Sequence, residues 1–316
     1  MRISAIIVNY NSGPLLAECV SSLRENLMVD YGNDEIIIVD NDSSDKSVAA
    51  VECIENLKII KSRVNSGYGA GCNEGASHAA GDIFLFLNPD TIMSTAAESV
   101  RAIFEQNGSI AAVAPVIVEN GEPCNSLRPF PTVVSDALDE FCLRSAEKKW
   151  HEFTKTALRE KGFFWGYSQG SAFFVRREDF EQVMGFDEDY FLYYEELDLY
   201  KRLASEGHEF HYDTGCVFRH ASGGSSAALG WQKTAIRYNS KIRYFSKHLS
   251  GKKLAVHKTL FLTALSLKIL SYLPLILFRR RTSEKINAYL YGFNLYLFGH
   301  KQWRRQTGPS SREVSL

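Results

Sequence analysis

Acidic and amide residues follow apolar runs at three places in this chain. The run FLFLNPD ends in Asn88-Pro89-Asp90, the run IIIVD ends in Asp40, and the run ISAIIVN ends in Asn9, which Tyr10 and Asn11 follow. Carboxylate and amide oxygens suit hard cations such as Mg2+, which also take phosphate oxygens and water as ligands. Asn-Pro-Asp is equally common in simple turns, so this group alone does not separate a ligand site from a turn.

A second group of titratable residues lies further along the chain. The segment YYEELDL carries Glu195, Glu196 and Asp198 at the start of a predicted helix, and His220 lies in FRHASGGS. A carboxylate can take the proton of a hydroxyl nucleophile. Carboxylates in a first helical turn also favour the helix dipole, so capping is the structural alternative. Asp198 lies about 200° around the helix from Glu196, so it more plausibly braces the motif against Arg202 at i+4.

The segments between these groups alternate strand and helix patterns. Strands are predicted at 3–9, 34–40, 57–61, 82–88 and 110–118, and helices at 14–27, from about 43, at 70–80 and at 94–107. After an irregular stretch at 119–165, we predict a strand at 170–177, a helix at 195–207 and a strand at 208–213. Apolar strands separated by helices indicate an α/β protein with a mostly parallel sheet. Such sheets bind ligands at the carboxyl ends of their strands. The polar residues at the three strand ends, namely 9–11, Asp40 and 88–90, should therefore line one crevice.

Composition and missing motifs exclude several classes of protein. The 316 residues suit one large domain, or one domain with an appendage. The first turn lacks GxGxxG, and no GxxxxGK[ST] phosphate loop is present, which disfavours NAD enzymes and P-loop enzymes. Six scattered cysteines without CxxC spacing argue against a zinc site and fit a reducing cytosol. The N-terminal apolar run is too short for a signal peptide.

The charge is distributed unevenly. From Trp231 onward the chain has 17 Lys and Arg against two acidic residues, whereas the first 230 residues have 19 basic and 35 acidic side chains. The tail is also apolar, which favours phospholipid over nucleic acid as its anionic partner. Residues 260–278 are long enough to span a membrane, although Lys268, Ser271 and Pro274 interrupt them. We predict membrane-surface or shallow re-entrant attachment through 255–305, with spanning or an oligomer interface as alternatives.

Six motifs, taken together and in their order along the chain, resemble those of a known protein family. They are IIVNYNS (6–12), IIIVDNDSSD (36–45), NSGYGAGCNEG (65–75), FLNPD (86–90), GSAFFVRREDFEQVMGFDEDYFLYYEELDLYKRL (170–203) and FRHASGGS (218–225). Together they resemble the family 2 glycosyltransferases, most closely the bacterial rhamnosyltransferase-like branch. The resemblance implies a GT-A fold, in which a Rossmann-like, mostly parallel sheet is flanked by helices. Residues 1–230 would form the catalytic domain, and 231–316 a helical, membrane-associating appendage.

The resemblance also assigns roles to single residues. Asp90 would hold Mg2+ or Mn2+ on the diphosphate of a nucleotide-sugar donor, and His220 would complete the metal site. Asn88 replaces the family's usual first aspartate and would contact donor or water. Asp40 would accept from the pyrimidine N3–H, which favours uridine or thymidine over cytidine. The remaining donor-binding candidates are Asn9, Tyr10, Asn11, Asn65, Gly67 and Asn73.

Glu196 is the expected base, with Glu195 and Asp198 as alternatives. A single displacement with such a base inverts the anomeric centre. The implied reaction moves L-rhamnose from dTDP-rhamnose onto a lipid-linked saccharide, in surface polysaccharide assembly at the cytoplasmic face of the bacterial inner membrane. The alternatives are a UDP-galactofuranose or other UDP-hexose transferase and, because Asn88 and Glu196 depart from the family pattern, a catalytically dead scaffold subunit. A homo-oligomer is a possible assembly, and no nucleic acid is expected as a partner.

Overall fold

The computed structural model describes residues 1–27, 32–143, 146–221, 230–272 and 280–298. The strands are β1 (Ile3–Asn9), β2 (Glu35–Asp40), β3 (Leu57–Lys61), β4 (Ile83–Leu87), β5 (Thr91–Met93), β6 (Ile110–Glu119), β7 (Glu122–Pro123), β8 (Leu127–Pro129), β9 (Phe163–Phe164), β10 (Gly166–Ser168), β11 (Ala172–Arg176) and β12 (Glu209–His220). The helices are α1 (Leu15–Asn26), α2 (Tyr68–Ser77), α3 (Glu98–Gln106), α4 (Val133–Glu140), α5 (Ala146–Arg159), α6 (Arg177–Gln182), α7 (Glu195–Ser205), α8 (Gly230–His248), α9 (Gly251–Tyr272) and α10 (Arg280–Phe298).

A central sheet runs in the order β3-β2-β1-β4-β11-β6-β12-β5. Strands β3, β2, β1 and β4 are mutually parallel, and β6 is parallel to β12. Strand β11 is antiparallel to both β4 and β6, and β5 is antiparallel to β12. The predicted α/β class is therefore confirmed, with antiparallel pairings at β11 and β5 that the sequence pattern does not predict.

The two faces of the sheet bury separate cores because side chains alternate along each strand. Ile3, Ala5 and Ile7 of β1 pack with α1 and α3, whereas Ile6 and Val8 pack with α2, α6 and α7. These side chains are at most 7 % exposed. Helices on both faces explain why the strands read as continuous apolar runs.

Two predictions of secondary structure are wrong. No helix begins near residue 43; residues 45–56 form successive turns, because the side chains of Asn9 and Asn11 bind Ser43, Ser44 and Asp45 and hold that segment out of helical geometry. The stretch 119–165 is not irregular but contains α4 and α5. Thr132 and Ser135 cap α4 reciprocally, in a capping box that lacks the usual Glu or Gln.

The last strand is longer than predicted. β12 continues to His220 because a shift of register between Asp213 and Val217 accommodates Gly215 without ending the pairing with β6. The predicted end of the preceding helix is close to the observed one, with Gly207 at a φ of 89° just beyond α7.

Helices α8, α9 and α10 pack together and against α4. Their shared core contains Tyr238, Ile242, Phe261, Leu265 and Tyr296. Helix α9 is long and apolar enough to cross a membrane by length and composition, the one such helix in the described part of the chain. The predicted membrane-contacting stretch 255–305 covers most of α9 and α10, and its residues 273–279 and 299–305 lie outside the described residues.

Part of the positive charge in this region is matched by acidic residues of the first 230 residues. Lys241 is 6 % exposed and pairs with Asp136 at 2.6 Å and Glu140 at 2.5 Å. Lys268 of α9 also reaches Glu140, at 2.5 Å. The prediction that the tail's charge faces an external anion is therefore wrong for these two lysines, whose anionic partners lie within the chain.

Candidate active site

Asn9 and Asp40 meet at the carboxyl ends of neighbouring strands. They are opposite each other in the β1–β2 register, and the Asn9 side chain donates to Asp40 Oδ1 over 2.9 Å. Asn9 is fully buried, and its Nδ2 also lies 2.9 Å from the Ser47 hydroxyl. Asp40 is 8 % exposed. The sheet register therefore fixes the Asp40 carboxylate at the predicted crevice, with Asn9 as its orienting partner.

The residues after β1 shape the loop beside Asp40. Asn11 has a φ of 50°, and its side-chain oxygen accepts from the backbone N–H of Ser44 over 2.8 Å and of Asp45 over 3.2 Å. Tyr10 precedes it at the same edge and is half-buried. The side chain of Asn11 thus holds the loop, which leaves Tyr10 as the ring beside the crevice.

The glycine-rich segment connects the first strands to the loop before α7. Gly67 has a φ of 96°, and a Cβ there would lie 2.3 Å from the carbonyl oxygen of Phe191. The Tyr68 N–H donates to the same oxygen over 3.0 Å. Asn65 accepts from the Gly67 N–H, and Asn41 donates to the Gly67 carbonyl oxygen. Only glycine fits this position, because both the backbone conformation and the contact exclude a side chain.

The Asn88-Pro89-Asp90 turn is held by β11 and β12, through pairings that the sequence does not predict. The Asn88 N–H donates to the Ser171 carbonyl oxygen over 2.9 Å, just before β11. Thr91 is opposite His220 in the β5–β12 register, and the Ala221 N–H donates to the Asp90 carbonyl oxygen over 3.0 Å. The antiparallel pairings thus bring the end of β4 to the start of β11 and to the end of β12.

His220 lies between two carboxylates. Its Nε2 is 3.3 Å from Asp90 Oδ1, and its Nδ1 is 2.8 Å from Glu119 Oε1. Burial disfavours the imidazolium, but the contacts with Asp90 and Glu119 outweigh burial and raise the pKa of His220 to about 9. A metal-ligating histidine is neutral, so ligation by His220 requires loss of this proton.

The Asp90 carboxylate fits a divalent cation. Its Oδ1 is buried and accepts no hydrogen bond, since the contact with His220 lacks hydrogen-bond geometry. Within the described residues, no group of three or more His, Cys, Asp or Glu side chains is arranged to hold a metal ion. A cation at Asp90 would therefore need ligands from outside the protein, such as phosphate oxygens.

Strained backbone presents the two glutamates of α7. Tyr193 and Tyr194 have φ angles of 68° and 71°, in the left-handed region that non-glycine residues seldom occupy. Glu195 is 4 % exposed, and its Oε2 has no hydrogen-bond partner. Glu196 is half-buried, and its carboxyl carbon lies 3.7 Å from the ideal Cβ position of Gly170. Glu196 is therefore the more accessible carboxylate, and it lies beside the segment that holds Asn88.

Burial raises the pKa of both glutamates. For Glu195, burial and then the charge of Glu196 raise the pKa well above its usual value. Burial also raises the pKa of Glu196, against the opposing charges of Arg128 and Arg237. Adjacent carboxylates resist being charged together, so the pair holds a proton more readily than a free glutamate does. A carboxylate with a raised pKa is a stronger base toward a hydroxyl group.

Asp198 has a different environment. It is fully buried and accepts from Arg202 over 2.7 Å, as the i+4 spacing predicts, and from Lys247 and His248 of α8 over 2.9 and 2.8 Å. Although burial opposes ionisation, these partners lower the pKa of Asp198. A carboxylate held by three basic side chains is a poor base, so the geometry favours the bracing role for Asp198.

Helix α8 also holds the loop before α7. Arg243 contacts both oxygens of Asp187, at 2.8 and 2.9 Å, and lies 2.6 Å from Asp189. Lys247 reaches Asp187 over 2.8 Å. From the other side, the amide of Asn73 exchanges two 2.9 Å hydrogen bonds with the backbone of Phe186. The side chain of Asn73, a predicted donor ligand, is thus engaged in positioning this loop.

Several residues at the site are not in any motif. Glu119, at the end of β6, contacts His220, and Arg128 lies near enough to Glu196 to affect its pKa. Arg243 and Lys247 lie in the basic tail. The sequence contains no local signal for Glu119 or Arg128, because long-range strand pairing places them.

Comparisons with known proteins point to one family. The model of the family "Glycosyl transferase family 2" matches residues 4–184. An N-acetylglucosaminyl-diphospho-decaprenol L-rhamnosyltransferase of Mycobacterium tuberculosis is 28% identical over 222 residues, which cover 64% of this chain and 70% of that protein. The rhamnosyltransferase WbbL of Escherichia coli K12 is 29% identical over 252 residues, which cover 72% and 90% respectively.

Solved structures share the fold at low identity. A mannosyltransferase of Pyrobaculum calidifontis, in complex with GDP-Man and Mn2+, superposes with a TM-score of 0.56 at 17% identity, over 94% of this chain and 87% of that one. GalNAc-T7 with UDP, GalNAc and Mn2+ gives a TM-score of 0.57 at 14% identity, over 78% and 48%. The expected GT-A fold and the resemblance to rhamnosyltransferases are confirmed. The chain belongs to glycosyl transferase family 2 and is a glycosyltransferase.

Proposed function

We propose that this enzyme transfers L-rhamnose from dTDP-rhamnose to a lipid-linked saccharide, with inversion, during assembly of a bacterial surface polysaccharide. The observation that carries the proposal is the meeting of Asp40, Asp90 and Glu196 at one end of the sheet, in a chain whose relatives include a rhamnosyltransferase named for a decaprenol-linked acceptor. In this proposal Asp40 contacts the nucleotide, Asp90 serves the diphosphate, and Glu196 serves the acceptor hydroxyl.

On the donor side, Asp40 accepts a hydrogen bond from the N3–H of a thymine or uracil base. Asn9 fixes the orientation of the Asp40 carboxylate, so ordering this carboxylate on binding costs little conformational entropy. Tyr10 lies at the same edge, where its ring can cover the base. The Asn65–Gly67 turn approaches the donor through backbone, since Gly67 has no side chain in the way.

On the acceptor side, Glu196 takes the proton of the attacking hydroxyl. The hydroxyl oxygen forms a bond to the anomeric carbon as the bond to the nucleotide diphosphate breaks, and the electron pair leaves with the diphosphate. This single displacement inverts the anomeric centre. Glu196 suits the task because burial raises its pKa, and Arg128 and Arg237 limit that rise so that the carboxylate remains available.

A divalent cation, Mg2+ or Mn2+, would neutralise charge on the departing diphosphate when bound. Asp90 would hold it through the buried Oδ1 that accepts no hydrogen bond, and His220 would contribute after losing its proton to solvent. Two solved structures of the same fold contain Mn2+. Asn88 lacks a charge, so its amide contacts the donor or water.

We further propose that α9 contacts the cytoplasmic face of the inner membrane. Leu267 and Leu270 on its outer surface are 52 and 60 % exposed. The hydroxyls of Thr259 and Thr263 on the same helix donate to carbonyl oxygens one turn earlier, so they need no water. Lys268, which interrupts the apolar sequence, points to Glu140 in the body. An apolar face without unpaired charge suits lipid.

The experiment that tests the function compares donors with purified enzyme. Transfer and donor hydrolysis are measured with dTDP-rhamnose, UDP-galactofuranose, UDP-galactose and UDP-N-acetylglucosamine, each with Mg2+, Mn2+ or EDTA. The acceptor is a prenyl-diphosphate-linked N-acetylglucosamine in detergent. Asp90→Ala and Glu196→Gln serve as variants.

The proposal expects metal-dependent turnover of dTDP-rhamnose that both variants lose. Turnover of UDP-galactofuranose alone would refute dTDP-rhamnose as the donor, but the protein would still be a glycosyltransferase. Absence of both nucleotide binding and turnover in the wild-type protein would instead favour a dead scaffold subunit.

A further inference from the structure

A half-open surface cavity of about 390 Å3 lies beside α7. Four elements form it: the segment 131–134 entering α4, the middle of α7, the last turns of α8 and the first turn of α9. Neither Asp40, Asp90 nor Glu196 lines it. Its volume is in the range of small-molecule sites, so it has room for a ligand that the donor crevice does not account for.

The charged groups around this cavity are all basic. Lys201, His248 and Lys253 line it, and no carboxylate does. The His248 ring is held by Asp198 over 2.8 Å, whereas Lys201 and Lys253 form no ion pair with any described residue. The Lys201 ammonium instead lies 5.0 Å from the centre of the Phe130 ring. Two unpaired ammonium groups beside one cavity favour an anion as the occupant.

The rest of the wall is apolar. Val133 and Val134 form one side, and Phe245 and Leu249 of α8 form another. Val134 is 67 % exposed, so this apolar wall continues to the protein surface. An inorganic anion gains nothing from such a wall, but an anion with a hydrocarbon chain does.

The cavity also opens where the proposed membrane contact begins. Lys253 lies in the first turn of α9, and the exposed apolar residues Val256, Leu267 and Leu270 follow along the same helix. Basic residues at the start and apolar residues beyond match the order of head group and acyl region in a membrane. A lipid lying against α9 would therefore place its head group at this cavity.

We propose that this cavity binds the phosphate or diphosphate head group of a prenyl lipid, with Lys201 and Lys253 contacting the phosphate oxygens and Val134 contacting the first prenyl units. The identification of that lipid as the anchor of the acceptor rests on the proposed function. Binding here would hold the lipid beside α7, the helix that carries Glu196.

The test is isothermal titration calorimetry of the full chain in nonionic detergent. The probes are farnesyl diphosphate, farnesol and inorganic diphosphate. The variants are Lys201→Met with Lys253→Met, Val134→Asp alone, and Lys252→Met as the matched control, because Lys252 is exposed and adjacent in sequence but does not line the cavity. Melting temperature and dTDP affinity report whether each variant is folded.

We expect farnesyl diphosphate to bind the wild type even with dTDP saturating the donor crevice. The double lysine variant should lose affinity at least about tenfold, as should Val134→Asp, and Lys252→Met should match the wild type. Farnesol and inorganic diphosphate should each bind at least about tenfold more weakly.

Equal affinity in the double variant and the wild type would overturn the proposal, as would an equal loss in Lys252→Met. Inorganic diphosphate binding as tightly as farnesyl diphosphate would make this a site for free phosphate and refute the lipid assignment. The proposed function fails separately. If the protein binds farnesyl diphosphate through the two lysines but transfers no sugar, the cavity proposal is supported and the proposed function is refuted. If it transfers sugar without such binding, only the cavity proposal is refuted.

Discussion

Asp198→Asn separates the two roles that the sequence leaves open for this residue. The carboxylate is fully buried among Arg202, Lys247 and His248, so the substitution keeps the shape but removes the charge that three basic side chains share. A bracing residue should lose stability when its charge is removed. A catalytic base should lose turnover and leave stability intact.

The magnitude follows from burial. Removing one partner of a buried ion pair costs about 3–5 kcal/mol, and the retained amide oxygen places Asp198→Asn near the lower end. We therefore expect a loss of about 3 kcal/mol in the free energy of unfolding, from a total of about 5–15 kcal/mol. The corresponding fall in melting temperature is roughly 6–9 °C.

The sign of the pH dependence supplies a second measure. The folded state lowers the pKa of Asp198, so its stabilising contribution is complete above the unfolded pKa of about 3.9 and is lost as pH falls toward the folded pKa. The stability difference between wild type and Asp198→Asn should thus narrow as pH falls below about 4.

Urea unfolding and steady-state transfer kinetics decide the matter, with Glu196→Gln as the control. Glu196→Gln should lower kcat by about 10²–10⁴-fold with an unchanged or higher melting temperature, because burial disfavours the charge that it removes. Our reasoning is refuted if Asp198→Asn shows that same pattern, with lost kcat and wild-type stability.

Three further predictions concern the rest of the site and the tail. Asp90→Asn should lower transfer at least about 100-fold and abolish its response to added Mn2+; activity that stays sensitive to EDTA would count against Asp90 as the ligand. Gly67→Ala should raise the donor KM and cost about 1–3 kcal/mol in unfolding free energy, through the positive φ and the contact with Phe191; a wild-type melting temperature would contradict this. Leu267→Asp should reduce co-sedimentation with anionic vesicles several-fold, whereas Leu158→Asp, equally exposed on α5, should not; equal effects would remove α9 from the membrane contact.

The strands of the first half of the fold are predictable because their signal is local. Continuous apolar runs at β1, β2 and β4 require helices on both faces, and their polar ends then fall at one edge. The reversal at β11 and the pairing of β5 with β12 are not local properties. They depend on which strands compete for the same edge, and no pattern within Ala172–Arg176 reports that competition.

The same distinction applies to the site. Asp40 and Asp90 carry a local signal, since each follows an apolar run directly. The helix wrongly predicted from residue 43 has a plausible local pattern. However, the amide side chains of Asn9 and Asn11, more than 30 residues away, form hydrogen bonds with Ser43 and Ser44, where the first helical turn was expected. Glu119 was missed for the same reason, because only the β6–β12 pairing brings His220 to it.

The basic tail shows why a net charge does not identify a partner. Lys241 and Lys268 are neutralised by Asp136 and Glu140, which the sequence counts in the acidic body, so the two opposite charges partly cancel inside the fold. Among the described residues, the α9 ammonium groups without an ion pair lie near its start, at Lys252, Lys253 and Lys258, with an apolar surface beyond. Assigning each described charge to its ion-pair partner shows where the positive charge without such a partner lies. In the described part of the tail, α8 holds the loop before α7, and Lys253 lines the cavity that we propose for a lipid phosphate.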